Sequence, residues 1–123
     1  MEWQKRFQLQ AVYYDPYQMI GSSQRLAKYG VRVEEFPQSV GNLTLASQTL
    51  YELIKGRNLT VYPDDALRLA VSRAVAVETS RGWRISKEKQ SHKIDVVVAL
   101  AMACYGAIQK QTSYNLYLPG LYE

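Results

Sequence analysis

The stretch from Ile94 to Ile108 constrains this chain more than any other part of it. It reads as a helix over roughly 94–110, and Val96, Val97, Val98, Leu100, Met102 and Ile108 point in nearly every direction around the axis. A helix that is apolar all round has to be covered all round. The run from Val96 to Ile108 is too short to cross a bilayer, so its cover has to be protein.

The rest of the chain offers limited cover. Residues 7–14 read as a buried strand ending at Asp15-Pro16, where an acid followed by proline marks a helix start. That helix runs through Ile20, Leu26 and Ala27 to Tyr29, with Gly30 as its C-terminal cap. Val31, Val33 and Phe36 give a second short strand, and Gly41-Asn42 a turn. Ala46, Leu50, Leu53 and Ile54 then recur at helical spacing. Leu59 to Tyr62 is a possible strand. Asp64-Asp65 lead a helix carrying Leu67, Ala70, Val71, Ala74 and Val75. Residues 78–85 form a hairpin turning at Arg81-Gly82. Strands alternating with helices argue an α/β layout. Only two convincing buried strands precede the hairpin, and an isolated pair is marginal. The expectation is part of a larger sheet, or a chain that self-associates.

At 123 residues the chain is one domain or part of one. Fifteen Lys and Arg against eleven Asp and Glu give a net charge of +4, compatible with nucleic acid without demanding it. Cys104 is the single cysteine, which rules out an internal disulfide or a cysteine-based zinc site; inside an apolar helix it reads as a small buried hydrophobe. Residues 1–6 lack the apolar stretch of a signal peptide, so a cytoplasmic protein is expected, with no membrane partner. No serine, histidine and acid stand in a nucleophile-elbow context, leaving acyl transfer without support.

Two acids stand where metal-dependent nucleases present ligands: Asp15 at the end of a buried strand and Asp95 in the first turn of a buried helix. Carboxylate oxygens suit a hard cation, which can activate a water and steady a phosphodiester's leaving oxygen. Their ordinary alternatives are a helix cap for Asp15 and a favourable helix-dipole contact for Asp95. Lys87, Lys89, His92 and Lys93 run immediately before Asp95, and Arg84 lies on the hairpin. Such a basic surface would draw in a phosphate backbone without reading sequence. A solvated loop partly neutralised by Glu88 fits the same residues.

Val12-Tyr13-Tyr14-Asp15-Pro16-Tyr17 resembles the second acidic motif in the nuclease domain of phage terminase large subunits. Val33 to Gln38 and then Asn42 to Ser47 are similar to the stretch that follows it. Ala70 to Val77 and Gly82 to Lys87 continue in order. Lys93-Ile94-Asp95-Val96-Val97-Val98-Ala99-Leu100 looks like the third acidic motif, although the family usually has a small residue where this chain has Val96. The resemblance covers about residues 8–108.

It implies a ribonuclease H-like fold, a five-stranded mixed sheet flanked by helices. Asp15 and Asp95 would be catalytic metal ligands in a two-ion Mg²⁺ or Mn²⁺ site. Arg84, Lys87, Lys89, His92 and Lys93 would lie against double-stranded DNA. The family cuts viral DNA during packaging in the bacterial host cell, working with a small subunit and a portal protein. Its first catalytic aspartate lies upstream of anything matched here, and no G-x-x-x-x-G-K-[S/T] phosphate loop of its ATPase occurs. By resemblance, residues 1–123 are one C-terminal portion of an incomplete nuclease domain, with an apolar and aromatic tail over 112–123. The alternative is a prophage remnant that self-associates or binds DNA without cutting it.

Overall fold

The computed structural model describes residues 2–117. Its elements run α1 (Glu2–Arg6), β1 (Val12–Tyr14), α2 (Pro16–Lys28), β2 (Val33–Glu35), α3 (Val40–Lys55), α4 (Asp65–Arg73), β3 (Ala74–Thr79), β4 (Gly82–Lys87) and α5 (Asp95–Tyr117). The fold is mixed α/β, with one parallel and one antiparallel pair of strands.

Short side chains start three of the helices. Asp15 accepts from the Tyr17 amide, Ser39 from Asn42 and Asp64 from Leu67, each satisfying a donor that the first turn leaves free. Past the end of α2, Gly30 takes a φ of +81°, which turns the chain back towards β2. β1 and β2 then pair in parallel with Tyr13 opposite Glu34. A Cβ on Gly106 would overlap Cε2 of the Tyr13 ring, so α5 lies against the Tyr13 face. Two strands span about 10 Å, room for a single helix, which leaves α2 the opposite face.

The core lies between α3, α4 and α5. Ala46, Leu50, Ala70, Val97, Ala101 and Cys104 are buried there, and Phe36 and Met102 join it to the parallel pair. The Phe36 ring meets Tyr13 and Tyr105 edge-on at 6.2 and 5.7 Å. The β3–β4 hairpin packs against α3, with the Tyr51 and Trp83 rings 5.5 Å apart. Ser47 Oγ accepts the Ile85 amide at 2.9 Å, so a helix side chain takes up a donor on the open edge of β4.

Several sequence-based expectations change. The strand expected over 7–14 is paired only at Val12–Tyr14, because β2 supplies three partner residues; Phe7 is exposed and the Leu9 amide turns back to the Phe7 carbonyl. Gly41-Asn42 is no turn but the first turn of α3, fixed by Ser39. Leu59 to Tyr62 is not a strand: Val61 and Tyr62 are exposed and only Leu59 packs on the core. Ala74 and Val75 leave the helix for β3, since the backbone is already extended at Ala74. α5 runs on to Tyr117, past the expected end near 110. Of the tail over 112–123, residues 118–123 lie outside the described residues. No helix among the described residues is long and apolar enough to cross a membrane.

α5 is also not covered all round. Ile94, Val97, Ala101, Met102, Cys104 and Gly106 are buried, whereas Val96, Ala99, Ala103 and Ala107 are exposed. Of the six apolar residues that point round the axis, Val96 and Ile108 are exposed, and the other uncovered apolar positions are alanines, which lose little by facing water.

Candidate functional site

Asp15 is half-buried at the C-terminal end of β1. Its carboxylate accepts from the Tyr17 amide at 3.1 Å, so the cap expected of it is present. Asp95 is the exposed first residue of α5, where a negative charge is favoured by the helix dipole. Both belong to the layer formed by the parallel pair and α5. The order of contacts fixes its direction: Tyr13 meets Gly106, Phe36 meets Tyr105, and the Gln38 amide donates to the Met102 sulfur at 3.4 Å. Moving down the strands therefore moves towards the start of α5.

Asp15 and Asp95 thus occupy the same end of this layer, the end where open α/β sheets place their sites. At about 100° per residue, Asp95 falls on the same side of α5 as Met102 and Gly106, the side that meets the strands. Asp95 precedes Gly106 by a helical rise of about 16 Å, and Asp15 lies about 7 Å beyond Tyr13 in the same direction. The two residues are offset by roughly 10 Å along the axis.

The nearest acids on the strands are otherwise engaged. Glu34 pairs with Arg32, and its charge acts on the Tyr13 hydroxyl, while Glu35 accepts the Tyr14 hydroxyl at 3.4 Å. Burial, then the Glu34 charge, pushes the Tyr13 phenol above its usual value. Among the described residues, no group of three or more His, Cys, Asp and Glu is placed to hold a metal. At this separation one Mg²⁺ or Mn²⁺ would meet one of the two carboxylates directly and the other through its retained waters. The two-ion arrangement expected by resemblance calls for further carboxylates.

The basic residues divide into two groups. Lys87 ends β4, and Lys89, His92 and Lys93 follow in the segment that delivers the chain to Asp95. This segment is shaped by two backbone bonds, Glu88 to the Arg73 carbonyl and His92 to the Lys89 carbonyl. The three lysines are exposed; His92 is half-buried, and its buried Nδ1 meets no hydrogen-bond partner among the described residues. Arg84 stands apart, half-buried opposite Val77 in the hairpin. By strand alternation it lies on the other face from Trp83 and Ile85. Burial pushes the Cys104 thiol up, in keeping with a core residue and not a nucleophile.

Sequence reasoning missed two features that set this geometry. Gly106 seats Tyr13 against α5, and a glycine inside an apolar helix was its signal. Gln38 ties the end of β2 to Met102, for which the sequence carries no signal. Compared with known proteins, the chain matches no family model, no curated protein and no solved structure.

Proposed function

We propose that this chain is part of a metal-dependent DNA endonuclease of the terminase type, on an incomplete ribonuclease H-like fold, with Asp15 and Asp95 as its carboxylate ligands. The observation that carries the reading is their position at one end of the same layer, with the exposed lysines 87, 89 and 93 in the segment that leads into Asp95. A bound Mg²⁺ or Mn²⁺ would supply Lewis acidity and an activated water. The chain's own contribution is positioning. The lysines would hold a phosphodiester backbone without reading its bases, with His92 in the same segment and Arg84 apart from it on the hairpin. The partners are double-stranded DNA and, by resemblance, a terminase small subunit and portal protein in the cytoplasm of a bacterial host.

A second reading, a DNA-binding remnant that does not cut, is favoured by the donor count. Two carboxylates, one of them also capping α2, are few for a two-ion nuclease. The two readings share DNA binding and part at the metal. Both expect weak, sequence-independent binding that falls as salt rises, measured by fluorescence anisotropy on duplexes of unrelated sequence. Mn²⁺-dependent nicking of supercoiled plasmid, lost in Asp95→Asn with duplex binding retained, establishes the nuclease. Nicking that is unchanged in Asp95→Asn removes the assignment.

A further inference from the structure

We draw no further inference here: the strongest candidate, the N-terminus of α3 where the Arg81 guanidinium lies against Gly41, carries nothing, because a helix end beside an exposed arginine is no site by itself and nothing else among the described residues points to a ligand there.

Discussion

The hairpin of β3 and β4 and the parallel pair of β1 and β2 are each two strands, and they are stabilised in different ways. The hairpin strands are six residues long, joined by a two-residue turn, and α3 meets the β4 edge through Ser47. The parallel strands are three residues long, joined across a whole helix, and their backbone edge has no such partner. Local closure makes the hairpin and the α3–α4–α5 core one stable block. The parallel pair depends on what Tyr13 and Phe36 can reach on α5. The more conditional region is the one that carries Asp15.

If that contrast is right, damage to the block should unfold the molecule, and damage to the joint should loosen the parallel pair first. The largest effect is expected at Leu50, 4% exposed in the core: Leu50→Ala should cost about 2–5 kcal/mol in denaturant unfolding. Gly106→Ala sets a methyl group against the Tyr13 ring, which Phe36 hinders from swinging away. It should cost about 1–3 kcal/mol despite the gain in helix propensity. Its mark should be faster amide exchange in β1 and β2 than in the hairpin; equal loosening of both would break the comparison.

Ser47→Ala should cost about 1 kcal/mol and act on the hairpin alone, read as faster exchange of the Ile85 amide. The smallest effect is a pH dependence. Tyr13 is raised above 10.0 in the folded chain, so the folded state holds this proton more tightly than the unfolded one. The stabilisation is fully present below about pH 10 and is lost as pH rises through the folded value. Stability of the native chain should therefore fall as pH rises above about 10 more than that of Tyr13→Phe.

The parts of the fold that were legible in the sequence are the locally determined ones. Asp15-Pro16 and Asp64-Asp65 announce helices because a cap acts on amides two or three residues away. The hairpin is legible because its turn lies between its own strands, although the turn falls at Ser80-Arg81 and not at Arg81-Gly82, and the strands extend to Ala74 and Lys87, beyond the expected 78–85. The extent of β1 was not, since a parallel strand is only as long as a partner beyond the intervening helix allows. Val61 and Tyr62 look like a strand by residue type, yet no neighbour arrives to pair with them. For the site, the sequence named Asp15 and Asp95 separately. Their placement at one end of a layer depends on Gly106, Phe36 and Gln38, which are not near either acid in sequence.

The proposal that these two acids share a cation is tested most directly by Mn²⁺ binding, followed by electron paramagnetic resonance on the native chain, Asp15→Asn and Asp95→Asn. Asparagine is as good a helix cap as aspartate, so Asp15→Asn keeps the bond to the Tyr17 amide and removes only the charge. The account predicts bound Mn²⁺ in the native chain and at least a tenfold loss of affinity in each variant, with thermal stability little changed. Native-like Mn²⁺ binding in either variant, or none in the native chain, would contradict it.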